Sequence, residues 1–400
     1  MMPGTPGFVG ERLKEAREAH ELSAAALADF LGVTIQSISQ YENNKQTPSP
    51  QVMRRIQEQL GLPYHFFFAP IAADENDPLF FRSLESASKL VRIKMSRRFV
   101  WLRELTRYLG ESIQLPKVNF PALDLPKTPA HLSEDQIELA AGEVRKFWNL
   151  TDNPISNLIW LIENNGAVVS RQELGTEDLD AFSQWNTNDR RPYFVIGSDK
   201  KSAVRSRYNV AHELGHIVLH RHIRSEDLND KAQFKLIEKQ AHYFAGAFIL
   251  PAETFAADFL CGSTLDRFVS LKPKWKASIQ FMVMRCLSLG IINQDQHKRM
   301  MINISRRGWR KNEPFDDTIE PEQPRFLRRA VELLVNKKIV DPTEIAFRLR
   351  LSDRKIEELA GLESSFLTNS SSNPATSISL DGESENTSDR GNILRFPRFS

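Results

Sequence analysis

Apolar residues recur along this chain in two registers, and the changes of register mark its elements. Leu27, Ala28 and Leu31 fall three and four apart, a Gly32-Val33 break follows, and Ile38 resumes the pattern in a segment opening at Thr34. Helical spacing, a tight turn and a hydroxyl placed to cap the second segment predict a helix-turn-helix, with these apolar residues packing its helices together. Further on, Ser133 and Gln136 have capping-box spacing ahead of a stripe of Ile137, Ala140, Val144 and Trp148. Ile237, Ala241, Phe244 and Phe248 form another helical stripe, which Pro251 ends. The runs Gly166 to Gln172 and Arg191 to Ser198, rich in Val, Ile and aromatics, read as short strands. Helical pattern returns over 272–289 and 320–362; within it, Pro342 to Leu362 echoes helix-turn-helix spacing but reads as a plain helical pair.

The remaining stretches set the boundaries. Residues 1–8 read as a loose arm, and Pro116, Pro121, Pro126 and Pro129 forbid regular helix and suggest an extended strap. After Thr368 the chain is Ser-, Asn- and Asp-rich and is expected to be disordered. The expected organisation is a helix-turn-helix domain over 8–69, a helical connector and strap over 76–130, an α+β core over 131–260, a helical region over 261–367 and a tail over 368–400. The fold class is multidomain: an all-α helix-turn-helix domain followed by an α+β domain with a helical C-terminal subdomain.

Composition narrows the class without naming a function. Four hundred residues, 41% hydrophobic and 26% charged, suffice for a sizeable core in two or more domains. No apolar run approaches membrane-spanning length and the first residues lack a signal-peptide core, so the expected place is the cytoplasm, with no membrane partner. Cys261 and Cys286 lack metal-type spacing and are expected to be reduced.

Chemistry concentrates in AHELGH, where His212 and His216 flank Glu213. On a helix the two imidazoles share a face, able to hold one ion, with Glu213 beside the open coordination position, placed to act on a metal-bound water. A third ligand is needed, and Glu238, bordering the stripe of the later helix, is the best candidate, because an inward carboxylate is costly unless a cation meets it. His220 is a rival, although three successive ligands on one straight helix do not easily surround an ion, which favours a supporting role. His242, one turn after Glu238, could orient a ligand. Two histidines and a carboxylate accept zinc or manganese.

The blocks RSRYNVAHELGHIVLH and EKQAHYFAGAFILP, with LFFRSL (Leu79 to Leu84), LDAFSQW (Leu179 to Trp185) and KPKWKASIQFMVMR (Lys272 to Arg285), resemble the ImmA/IrrE-type metallopeptidases over roughly residues 75 to 320. The resemblance implies a zincin-like intracellular peptidase with Zn2+ on His212, His216 and Glu238, Glu213 as base, and hydrolysis of internal peptide bonds. It also implies an edge strand along the cleft, on which an extended substrate could pair. At His242 such proteins commonly carry Asn or Asp, so this chain departs from the pattern there. Arg205, Arg207 and Tyr208 lie near enough in sequence to serve an oxyanion, with surface ion pairing the alternative for the arginines.

LADFLGVTIQSISQYENNKQTPS resembles the Xre/Cro-type helix-turn-helix family. In that family the second helix enters the major groove, which nominates Ile35, Gln36, Ser39 and Gln40 behind the cap Thr34 as base-facing, with Asn44 and Lys45 for phosphates. The module itself is nearly neutral, so a homodimer or basic segments elsewhere, such as Ser88 to Arg107 and His297 to Asn312, would have to supply charge. The Ser88 to Arg107 segment reads as an amphipathic helix with a solvated basic face. Together these readings point to a DNA-binding regulatory zinc metalloprotease acting on a repressor or antitoxin-like partner. The alternative is a repressor or antitoxin that keeps the peptidase fold as a binding surface.

Overall fold

The structure, a computed structural model, describes residues 4–70, 80–81, 88–175, 180–199, 202–223, 228, 230–260, 262–371 and 394–395. The chain divides into two compact units: residues 1–75, 84–115 and 326–398 in one, residues 76–83, 116–325 and 399–400 in the other. No helix of the described residues is long and apolar enough to cross a membrane.

The first unit opens with α1 (Gly10–Ala19), α2 (Ala24–Leu31), α3 (Ile35–Glu42) and α4 (Pro50–Leu60). Side-chain caps open α2, α3 and α4. The Ser23 side chain accepts from Ala26 N–H, Thr34 from Ser37 N–H, and Ser49 from Val52 N–H. Gly32 takes the left-handed conformation (φ 61°) that turns α2 into α3. Leu13, Leu27, Leu31, Ile38, Met53 and Ile56 are buried between the helices. The arm is not loose along its described length: the Thr5 hydroxyl donates to Pro48 O at 2.7 Å and Phe8 is buried.

The connector helix α5 (Lys89–Ser112) belongs to this unit, burying Met95, Phe99, Trp101, Leu102 and Leu105 and donating from Trp101 Nε1 to Glu15 Oε1 at 2.8 Å. Its basic face is not simply solvated. Lys94 pairs with Glu21 at 3.0 Å and Arg97 with Glu18 at 2.9 Å, so acids of α1 and the α1–α2 loop take up charge that the sequence offered for phosphates. The strand β2 (Ile113–Gln114) follows α5 and pairs in parallel with β6 (Leu394–Arg395). Also in this unit are α14 (Phe326–Asn336), α15 (Pro342–Leu349), α16 (Asp353–Ala360) and α17 (Phe366–Ser371). The expected tail thus begins with a helix and carries a short paired strand; its other residues lie outside those described. The grouping differs from the linear boundaries because α5 and α14 to α17 bury their apolar faces within the unit that holds the helix-turn-helix.

The second unit is α+β. A mixed sheet in the order β1-β4-β5-β3 comprises β1 (Phe80–Phe81), β3 (Val168–Gln172), β4 (Ala181–Asn186) and β5 (Arg191–Gly197). β3 runs parallel to β5, while β4 is antiparallel to both β5 and β1, with Phe80 opposite Ser183 and Phe81 opposite Phe182. The helices are α6 (Glu134–Phe147), α7 (Leu158–Asn164), α8 (Ala203–Leu219), α9 (Lys231–Ile249), α10 (Ala252–Ala257), α11 (Leu265–Trp275), α12 (Ile279–Ser288) and α13 (Gln294–Arg306). The expected capping box at Ser133 and Gln136 opens α6. One core joins the stripes read from the sequence, Ile137, Ala140 and Val144 against Phe244 and Phe248, with Val169, Phe194, Leu214 and Ile217. The strap, without regular structure over 115–128, is tied down where Asn119 N–H donates to Asn165 O and Arg191 reaches Pro116 O.

Candidate functional site

The site lies where α8 meets α9. A Cβ added at Gly215 would stand 3.2 Å from both the Cα and the carbonyl oxygen of Ala241, so only glycine lets the helices approach this closely without displacement. On one side of the contact α8 presents His212 and His216; on the other α9 presents Glu238. The ring nitrogens His212 Nε2 and His216 Nε2 are 3.0 Å apart, and the Glu238 carboxylate oxygens lie 3.3 Å from the first and 3.2 Å from the second. Donors bound at 2.0–2.1 Å to a tetrahedral ion stand about 3.3–3.4 Å apart. The three groups therefore fit the coordination of a single small cation.

Electrostatics agree with that fit. Both imidazoles are wholly buried, and burial first, offset by the Glu238 hydrogen bond, holds His212 down to about 3, so its ring is a neutral donor. His216 is subject to the same burial, yet the hydrogen bond and charge of Glu238 raise it above its ordinary range. Glu238 pays a burial penalty as well, but the two histidines keep its carboxyl well below the usual range. A carboxylate enclosed this way requires a positive partner, either a proton or a cation.

A chain of hydrogen bonds places a proton on His216 Nδ1. Gln240 Nε2 donates to Pro129 O at 2.6 Å and Leu132 O at 3.2 Å, which fixes its amide orientation and leaves Oε1 to accept from His220 Nε2 at 3.0 Å. His220, wholly buried, is held neutral by desolvation and then by its neighbour His216. Its Nδ1 then accepts from His216 Nδ1–H across 3.2 Å, which leaves His216 Nε2, the nitrogen facing Glu238, to carry either a proton or a cation. Both ring nitrogens of His220 are thus engaged, one by His216 and one by Gln240. Gln240 was not legible as part of the site, because only the packing of α9 against Pro129 and Leu132 reveals its role. Replacing Gln240 with Leu is expected to weaken metal affinity about 10–100-fold with the fold intact, measured by competition with a chromophoric chelator; unchanged affinity would remove the relay from the site.

Glu213 is 1% exposed and accepts from Ser183 Oγ at 2.7 Å, so a residue of β4 orients it. Ser183 sits within the LDAFSQW block but has no local signal that distinguishes it, since strand β4 carries no alternating pattern: Ala181, Phe182, Ser183 and Gln184 are all buried. β4 is the strand beside the site, and its outer neighbour is β1, which among the described residues pairs with it at Phe182 and Ser183.

His212, Glu238 and His242 also form a group with donor atoms within 4.8 Å of one another, a group that could hold a metal ion. His242 is more than an orienting residue at a distance. Its ring centroid lies 4.4 Å from that of His212, and its Nδ1 is hydrogen-bonded to the Tyr208 hydroxyl. Phe281 of α12 packs edge-on against Tyr208 at 4.6 Å. The arginines named beside Tyr208 are placed elsewhere. Arg205 pairs with Asp180 at 2.7 Å. Arg207 is buried, not at the surface, and is held by Glu322 and Ile155 O, while Glu322 caps α7 through Leu158 and Ile159 N–H.

In the helix-turn-helix, Thr34 caps α3; Ile35 is 56% exposed, Gln36, Ser39 and Lys45 are exposed, and Gln40 is half-buried. Asn44 is a correction. In a left-handed conformation (φ 56°), its Oδ1 accepts from Gly10 N–H at 2.6 Å and its Nδ2 donates to Glu11 at 2.7 Å, so the amide expected on phosphate holds the start of α1.

Comparison with known proteins follows the same division. Residues 162–287, from α7 into α12, match the IrrE N-terminal-like domain of the peptidase M78 family. Residues 13–67 match a helix-turn-helix family. A prophage-derived uncharacterized HTH-type transcriptional regulator of Bacillus subtilis strain 168, YonR, is 36% identical over 75 residues, covering 17% of this chain and 69% of that protein.

Proposed function

We propose that this chain, whose residues 13–67 match a helix-turn-helix family and whose residues 162–287 match the IrrE N-terminal-like domain, is a DNA-binding regulatory zinc metallopeptidase. Its substrate is a regulatory protein, such as a repressor or an antitoxin-like partner. The observation that carries this reading is the convergence of His212, His216 and Glu238: the two Nε2 atoms are 3.0 Å apart, one Glu238 oxygen lies 3.3 Å from the first and the other 3.2 Å from the second.

His212, His216 and Glu238 would hold the ion, and a zinc there would supply the Lewis acidity that peptide hydrolysis requires. Glu213, oriented by Ser183, takes a proton from the attacking water and passes it to the leaving amine. Donor type admits manganese as well. Ile35, Gln36, Ser39 and Gln40 make the base-facing surface of α3, capped by Thr34, with Lys45 toward phosphate. A DNA site and a protein substrate joined on one chain raise the effective concentration of the peptidase at a DNA-bound target.

One observation favours a second reading, a repressor or antitoxin that uses the peptidase fold for binding: His212, His216 and Glu213 are 0–1% exposed. Metal analysis of the purified full chain beside Glu238→Ala decides the first step. About one zinc per chain in the wild type, lost in the variant, is the expected result. A folded wild type that takes up neither zinc nor manganese would overturn the peptidase reading.

A further inference from the structure

The backbone of α2-turn-α3 recurs, residue for residue, 318 positions later. α2 and α15 each have eight residues and end on a left-handed residue, Gly32 (φ 61°, ψ 41°) and Arg350 (φ 57°, ψ 31°). One apolar residue follows, Val33 or Leu351, then an extended N-cap, Thr34 (φ −79°, ψ 153°) or Ser352 (φ −72°, ψ 152°), and another eight-residue helix, α3 or α16.

Side chains repeat with the backbone. Leu27, Ala28, Leu31, Ile38 and Tyr41 correspond to Ile345, Ala346, Leu349, Ile356 and Leu359. Of the second set all but Ala346 are buried, as are all of the first. The preceding helix recurs as well: α1 is joined to α2 through left-handed Glu21, and α14 to α15 through left-handed Lys338, with one extra residue in the second loop. The segment 342–362, which reads from sequence as a plain helical pair, is therefore a helix-turn-helix. Its pattern was concealed by arginine where the first motif has glycine; the left-handed conformation costs a non-glycine residue about 1–2 kcal/mol, which the flanking Leu349 and Leu351 contacts offset.

We propose that α15 and α16 form a second DNA-reading element, in which Arg354 enters the major groove. The proposal rests on the DNA-binding reading of the chain. Arg354 stands where the first motif has Gln36, is exposed, and lies in the first turn of α16, the end with which helix-turn-helix proteins contact base edges. The far half of α16 has another task. Glu357 accepts from the N–H groups of Ser365 and Leu367 at 2.9 and 3.0 Å, and Glu358 pairs with Lys355 and Arg98. Only the first turn remains to face a groove, so the contact is narrow and its chemistry is that of one guanidinium, which matches guanine O6 and N7. Ser352, whose hydroxyl makes no cap hydrogen bond, and Arg350 lie beside it for phosphate. With two motifs on one chain, the expected DNA site has two unlike blocks.

The full chain is tested by selection from random-sequence duplexes, with Gln36→Ala/Gln40→Ala and Arg354→Ala in parallel. Wild type is expected to enrich a two-block site containing guanine in one block. Arg354→Ala should lose that block and about 5–150-fold in affinity for the selected site, while the glutamine variant loses the other. If Arg354→Ala, folded by circular dichroism, selects the same site with the same affinity, the second element does not read DNA. If wild type enriches no sequence, the DNA-binding reading falls and this inference with it.

Discussion

Glu213→Gln is expected to remove peptide hydrolysis by about 10²–10⁴-fold, the contribution of a positioned general base, while metal content stays at the wild-type level. The two effects separate because Glu213 is not one of the three groups whose donors converge. Its carboxylate is buried and held by Ser183 at 2.7 Å, and glutamine keeps the size and an acceptor oxygen for that bond. What the amide cannot do is accept the water proton. Loss of turnover with retained metal, read by cleavage of a co-expressed regulatory partner and by metal analysis of the same preparation, would establish the role. A cellular phenotype that persists unchanged in Glu213→Gln would instead favour the binding-protein reading, in which nothing depends on proton transfer.

The parts of this site that lie on one helix were legible in the sequence, and the parts that cross between elements were not. His212 and His216 announce themselves because helical spacing places both rings on one face, and Glu238 could be reached by asking which inward carboxylate lacks a partner. Ser183 and Gln240 could not, since neither has a local pattern that distinguishes it: each acquires its role only when β4 lies against α8 or α9 against the strap residues Pro129 and Leu132. Asn44 shows the converse. Its sequence position suggested DNA, but the Gly10 amide and Glu11, more than thirty residues away, claim both ends of its side chain. Likewise α5 displays basic residues along its length, and only the fold shows Glu18 and Glu21 opposite them. The second helix-turn-helix is written in the spacing from Ile345 to Leu359 but masked at Arg350, where a side chain other than glycine argues against the left-handed conformation adopted there.

The second large effect concerns the frame of the site. Lys272→Met is expected to destabilise the peptidase unit by about 3–5 kcal/mol, the cost of leaving one member of a buried ion pair without its partner. Lys272 on α11 is completely buried, and its Nζ reaches Glu313 at 2.9 Å and Asp316 at 2.5 Å. Methionine fills nearly the same volume, so the loss isolates charge from packing. Glu313 has a second duty, for its carboxylate accepts from Ile279 N–H at 2.7 Å and Gln280 N–H at 3.1 Å and so caps α12. Those amides alone cannot compensate a carboxylate enclosed at this depth. In a unit of this size the penalty corresponds to a fall of about 6–20 °C in the thermal midpoint of its transition. Glu313→Gln in the Lys272→Met background should recover part of it, because the stranded charge is then removed; a midpoint within 2 °C of wild type for Lys272→Met would show that the pair contributes nothing. The consequence reaches the candidate metal donors through α12, whose Phe281 braces Tyr208 and hence His242 beside His212. Destabilised protein that still folds at low temperature should therefore show weaker metal retention than wild type, even though Lys272 touches none of the donors.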